Sequence, residues 1–190
     1  LASDSMNWLG LQKIVICWVA TPIGAMLIAY LLYYILGTLI ARIPMSMLTR
    51  DKILWLGLLI VGIYGSYALG ANNVANATGI FSGQFAHQGV TDRDLALLGG
   101  VAIALGTLTF SKRVMLAVGS GIMSLDAFTA LVSVLAMAVT VHVFAIIGVP
   151  VSTSQGMVGA ILGIGFVRGG RAIDFRVLRN IFIGWLATPA

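Results

Sequence analysis

Charge is what this sequence has least of. Only 9% of the 190 residues are Asp, Glu, Lys or Arg, and glutamate is absent altogether. A soluble domain carries about a quarter charged residues, because its folded surface must face water. With 59% of the chain hydrophobic and a mean hydropathy of +1.04, no aqueous core of this size could hide the apolar material. A lipid-facing surface resolves the conflict. The single Cys17 lies within an apolar run, which excludes a disulfide framework and a cysteine metal site. There is no GxxxxGK[ST], HExxH or GxSxG pattern and no paired catalytic carboxylates, so enzyme chemistry has no foothold. The sequence starts LASDSMNWLG, without an initiator Met or a basic n-region, so no cleavable signal is expected in this opening.

What is present is a series of apolar runs, the expected mark of an all-α, multi-pass integral membrane bundle. A full span takes about 20 apolar residues, and a broken or re-entrant element takes fewer. The runs lie near 11–41, from 53 into GANNVANATG at 70–79, at 95–110, 127–148 and 156–167, and from 181 onward. Pro22 predicts a kink or tilt in the first. Residues 114–125, punctuated by Gly and Ser, are too short and mixed to span. His87 and Gln88 stand in a polar connection, where Asp92 and Asp94 outnumber Arg93. Placing residues 42–52 on the cytoplasmic side puts nine of the eleven cations inside, among them Lys112, Arg113 and the arginines at 168, 171, 176 and 179. That distribution accounts for the +5 formal charge without a nucleic-acid partner.

IVICWVATP at 14–22 returns as IFIGWLATP at 181–189, identical at six of nine positions, with Trp18 matching Trp185 and Pro22 matching Pro189. On the expected topology the two copies run in opposite directions, as inverted repeats do in secondary transporters. The expectation is one transporter domain over 1–190, with 11–41 closing a first repeat and 52–190 forming most of a second. It also makes the native protein about twice this length, with another motif pair upstream.

Two segments could carry function. GANNVANATG crowds Asn72, Asn73, Asn76 and Thr78 behind an apolar run, and polar backbone at that depth must line a cavity or pack on protein. Gly70 and Gly79 permit a break there. Asn offers a carbonyl oxygen to a cation and an amide to an anion, so one position serves either ligand. PVSTSQGMVGAILGIG at 150–165 is the second: Pro150 ends one helix, and Ser152, Thr153 and Ser154 occupy N-cap positions of the next. Its N–H groups and positive dipole end suit an anion, and Gly156, Gly159 and Gly163 suit close helix packing in lipid. The plainer alternatives are an extramembrane loop and a capped packing helix. His142, inside the fourth run with Asp126 at its start, is expected to be a neutral histidine bonded to a neighbouring helix.

At these two motifs the sequence resembles the inorganic phosphate transporter family, sodium- or proton-coupled permeases with a sulfate-permease branch. Members carry a GANDVANA-like and a PVSTTH-like element in each of two inverted repeats, and the resemblance covers most of 11–190. It implies an integral cell-membrane protein and a midplane site for phosphate or sulfate with coupling Na+ or H+ and no other cofactor. Carried over by position, Asn72, Asn73, Asn76, Thr78, Ser152, Thr153, Ser154 and Gln155 become substrate- or ion-binding candidates. Of these, Asn72, Asn73, Asn76, Ser152 and Thr153 are the candidates for sodium. Two departures stand out: the family Asp is Asn73 here, and the family Thr-His pair is Ser154 and Gln155. Both remove a titratable group. The readings that stay open are a sulfate permease, a channel-like pore and a subunit inactive by itself; a homodimer is open too.

Overall fold

The computed structural model describes residues 8–81, 84, 89–170 and 173–187, and it is helical throughout, with no strand among them. The helices are α1 (Trp8–Arg42), α2 (Met47–Thr78), α3 (Asp92–Gly121), α4 (Ala127–Ile147), α5 (Thr153–Val167) and α6 (Phe175–Ala187). A single 3-10 turn, Gly79–Phe81, follows α2. Within α1 to α4 lie four segments long and apolar enough to cross a membrane, while α5, with 15 residues, is a shorter apolar helix. The opening residues, His87, Gln88, Arg171 and Pro189 lie outside the described residues.

Local chemistry sets most boundaries. Ser46 caps α2 through the Thr49 N–H, and Thr91 with Asp94 forms a capping box on α3. Asp126 caps α4 by accepting from Thr129 N–H at 2.7 Å. The end of α4 falls at Ile147, earlier than Pro150, because Gly148 takes φ +75° and its N–H and that of Val149 close on the Ala145 and Phe144 carbonyls.

One expectation is corrected, and two helices run on past residues that punctuate the sequence. Pro22 lies inside α1, which continues through it as one helix of 35 residues. At 1.5 Å per residue that is roughly 52 Å, well beyond a hydrocarbon core of about 30 Å. GANNVANATG is not a broken element at Gly70: α2 continues through it to Thr78. The Asn72 side chain is bonded elsewhere and so does not compete for its own helix, and the Thr78 hydroxyl donates back to the Val74 carbonyl at 2.8 Å. Residues 114–121 extend α3 beyond its apolar span, which ends at Lys112.

The core sits where α1, α4 and α5 meet, around Ala25, Ala29, Val132, Ala136, Val158, Ala160, Ile161 and Ile164. These are small or β-branched residues, which let helices approach closely in lipid. Gly159 and Gly163 of α5 lie on the backbone of α1 at Pro22 and Met26. Elsewhere large apolar side chains face outward, among them Leu108 at 84% and Phe110 at 81% exposed on α3. α3 meets α2 where Gly99 receives the Thr78 methyl.

Candidate functional site

The second motif is the broken element that the first is not. After Gly148, residues 149–152 have no regular structure, and α5 starts at Thr153 with Ser152 as its cap. The Ser152 hydroxyl accepts from the Gln155 N–H at 3.4 Å and is 2.9 Å from the Ser154 hydroxyl. The backbone N–H groups of a first helical turn have no intrahelical partner, and here hydroxyls stand beside them. That is a donor-rich corner for an oxyanion.

An extended stretch ahead of a helix leaves backbone groups that need partners. Val151 finds both in one side chain: its N–H donates to Asn72 Oδ1 at 3.2 Å, and Asn72 Nδ2 donates to its carbonyl at 2.8 Å. The second Nδ2 hydrogen goes to Asn73 Oδ1, also at 2.8 Å. Asn72 is 3% exposed, so it acts as an inserted peptide group tying the end of α2 to the segment before α5. Asn76, one turn on, is exposed and lines a recess of about 130 Å³ with Asn72, Gly148, Val149 and Pro150.

On the other side of the α5 start, Thr153 and Ser154 border a cavity of about 420 Å³ whose walls include Ser133, Met137, Met157 and Ile161. Ser133 is fully buried and spends its hydroxyl on the Thr129 carbonyl, leaving that wall apolar. Gln155 is half-buried, and its Oε1 is a buried acceptor with no hydrogen-bond partner among the described residues. A bare acceptor in a donor-rich corner calls for a cation or a protonated oxygen.

The structure therefore ties Asn72, with Asn73 bonded to it and Asn76 in the same recess, to the 148–152 segment, while Ser152, Thr153, Ser154 and Gln155 follow at the α5 start, Thr153 and Ser154 on a separate cavity. Thr78 is placed apart, its hydroxyl on Val74 and its methyl against α3. The Val151 main chain, which anchors the junction, was not anticipated; its position after Pro150 is the signal that could have exposed it, since such backbone must be paired. His142 behaves as expected of a bonded membrane histidine: Nδ1 is 2.9 Å from Tyr64 Oη of α2, and Tyr67 meets the ring edge-on at a centroid distance of 5.3 Å. No group of three or more His, Cys, Asp or Glu able to hold a metal occurs among the described residues.

The chain matches the phosphate transporter family over residues 1–190. It is 30% identical over 186 residues to a protein of Methanocaldococcus jannaschii provisionally named a phosphate permease, covering 98% of this chain and 58% of that one. It is 31% identical over 137 residues to the sodium-dependent phosphate transporter 1 of Mus musculus, covering 68% of this chain and 20% of that one. Among solved structures it resembles a sodium-dependent phosphate transporter with a TM-score of 0.80 at 24% identity, over 95% of this chain and 63% of that one. The chain thus spans from a fifth to about three-fifths of the length of these relatives.

Proposed function

This chain belongs to the phosphate transporter family, and from that premise we propose that the protein carries inorganic phosphate across the cell membrane, driven by a sodium gradient. The observation that carries the reading is the α5 N-terminus, where the first-turn N–H groups and the Ser152, Thr153 and Ser154 hydroxyls follow directly on the segment that Asn72 of α2 ties down. Such a corner binds a tetrahedral oxyanion through many neutral donors, which limits the penalty of bringing the anion out of water. Sodium coupling is supported by the names of the relatives. In this chain the oxygens open to the ion are those of Asn76, the α5 hydroxyls and Gln155 Oε1, all neutral, so the cation's charge is balanced by the substrate rather than by a carboxylate.

Sulfate is the second reading. It is favoured by Asn73 and Gln155, which place no carboxylate and no titratable group at the junction. The experiment is uptake of labelled phosphate by the full-length protein in proteoliposomes under an imposed sodium gradient, with potassium and proton gradients alongside and excess sulfate as competitor. Sodium-driven uptake supports the proposal. Uptake that equilibrates without any gradient dependence means a passive pore, and proton-driven uptake changes the coupling ion.

A further inference from the structure

The connection between α1 and α2 is short, Ile43 to Ser46, and it joins two helices that are each long and apolar enough to span. It therefore sits at the boundary between bilayer and water. Its neighbourhood mixes two chemistries: Met47 and Leu48 are exposed apolar side chains, and Arg42, Arg50 and Lys52 stand in the same stretch. A recess of about 320 Å³ opens here, lined by Gly37, Ala41 and Pro44 on one side and by Phe128 of α4 and Arg50 on the other. That volume lies within the roughly 300–1,000 Å³ of small-ligand sites. Phe128 is held in place by Tyr33, with ring centroids 5.2 Å apart, and Gly37 faces the Phe128 ring without a side chain to fill the space. Arg50 and Phe128 also line a second recess, of about 240 Å³, which contains Asp51 and Asp126.

The two recesses differ in what they admit. Carboxylates keep an anion out of the second, and Asp126 has its cation in Arg168 at 3.8 Å. The first has no acidic residue in its lining, and its charged member, Arg50, makes no ion pair and no side-chain hydrogen bond among the described residues. One guanidinium against an otherwise apolar wall at the membrane boundary matches an amphiphile with a negative head. We propose that this recess binds one anionic glycerophospholipid, its phosphate on Arg50 and its glycerol backbone and first acyl carbons along Ala41, Pro44 and Phe128. A guanidinium meets a phosphate through paired N–H donors. A free phosphate would leave the apolar wall unused, which favours the lipid. The orientation expected from the basic connections puts the recess in the cytoplasmic leaflet, where basic pockets between membrane helices take anionic head groups. Asn72 lies further along the same helix, roughly 33 Å from Arg50 at 1.5 Å per residue, so the lipid site is distinct from the α2–α5 junction and independent of the transport reading.

Three variants of the full-length protein test the site. Arg50→Gln removes the charge, and Ala41→Leu fills the apolar wall without changing charge. Lys52→Gln is the control, since it loses the same charge from a side chain that lines neither recess. Each protein is titrated with phosphatidylglycerol in phosphatidylcholine nanodiscs and in detergent, and bound lipid is counted by native mass spectrometry. Wild type should retain one phosphatidylglycerol in preference to phosphatidylcholine. Arg50→Gln and Ala41→Leu should weaken that binding by roughly tenfold or more, the effect of losing a charge-assisted contact. Lys52→Gln acts only through water and should change it by about twofold or less. Phosphatidylglycerol should raise the thermal midpoint of wild type and Lys52→Gln alone, while all four proteins melt together in pure phosphatidylcholine. All three substituted residues are exposed, and Arg50→Gln against Lys52→Gln decides the matter should Ala41→Leu fold poorly. Equal loss in Arg50→Gln and Lys52→Gln, with Ala41→Leu unaffected, would mean diffuse attraction to a basic face and no site. Equal retention by all four would mean that another part of the longer protein fills the recess, and it overturns the proposal too. Displacement of the bound lipid by inorganic phosphate would make the ligand a free anion and overturn the lipid assignment.

Discussion

Gly159 of α5 lies directly on Pro22 of α1, close enough that a Cβ there would meet the Pro22 carbonyl oxygen, carbonyl carbon and Cα at once. Gly163 stands in the same relation to Met26 one turn on. The contact is backbone against backbone, with no flexible side-chain end that could yield. It fixes the depth of α5 against α1, and with it the position of the Ser152 to Gln155 corner at the α5 start.

Gly159→Ala is therefore expected to destabilise the protein by about 1–3 kcal/mol through overpacking. Gly62, in a helix with nothing within 4 Å of its missing Cβ, is the control. Gly62→Ala should be neutral or stabilising by up to about 1 kcal/mol, from helix propensity alone. Thermal unfolding in detergent of both variants checks the pair. Equal midpoints would mean that α1 and α5 separate more easily than their geometry indicates.

Asp126 joins the start of α4 to the end of α5, accepting from Thr129 and lying 3.8 Å from Arg168. Partial burial pushes its pKa up, but the Thr129 N–H and hydroxyl and the Arg168 charge outweigh that and hold it below the usual carboxylate value. A depressed pKa adds stability above the unfolded-state value of about 3.9, which is lost as pH falls through the lower folded value. Asp126→Asn retains an N-cap without the charge. Wild type should exceed Asp126→Asn in stability near neutral pH, with the gap closing as pH drops below about 4. The pair is solvent-exposed, so the gap is at most about 1 kcal/mol. A gap that widens in acid would refute the assignment.

Gln155 sets stability against function. Its Oε1 is buried without a donor, a cost to the empty protein of about 1–3 kcal/mol. Gln155→Met keeps length and bulk and removes the orphan. The substrate-free protein should melt higher, while sodium-driven phosphate uptake falls. A variant that is both more stable and fully active would make Gln155 a structural flaw without a ligand.

How much of this was readable in the sequence depends on distance along the chain. The break between α4 and α5 was legible because Gly148, Pro150 and Ser152 each act on their own neighbourhood. The continuity of α2 through three asparagines was not. Local propensity counts Asn against a helix, and only a partner 79 residues away keeps the Asn72 side chain occupied. Hydropathy located the end of the apolar span near Lys112, but not the end of the helix, which continues to Gly121. Thr78 shares the motif but not the site, since six residues on from Asn72 it faces α3. Composition located the right segment of chain, and tertiary pairing decided which side chains in it remain available.

Asn72 and Asn76 therefore separate two ways of losing transport. Both belong to one motif and stand one turn apart, yet only Asn72 is bonded to the main chain of Val151. Asn72→Ala leaves a buried N–H and a buried carbonyl without partners, and each such group costs about 1–3 kcal/mol. The thermal midpoint should drop sharply and uptake should vanish with it. Asn76 is exposed on its recess and makes no side-chain hydrogen bond among the described residues, so Asn76→Ala removes nothing that the resting fold uses. Its midpoint should lie within about 0.5 kcal/mol of wild type, the range of ordinary surface substitutions. If its amide serves the substrate or the ion, phosphate uptake still falls, and sodium titration tells which: a raised half-saturation for sodium places Asn76 on the cation, and a raised phosphate KM at saturating sodium places it on the anion. Measuring unfolding and uptake on the same preparations completes the test. An Asn76→Ala protein that is stable and transports normally removes Asn76 from the site, and an Asn72→Ala protein as stable as wild type shows that the segment before α5 is held by something other than this amide.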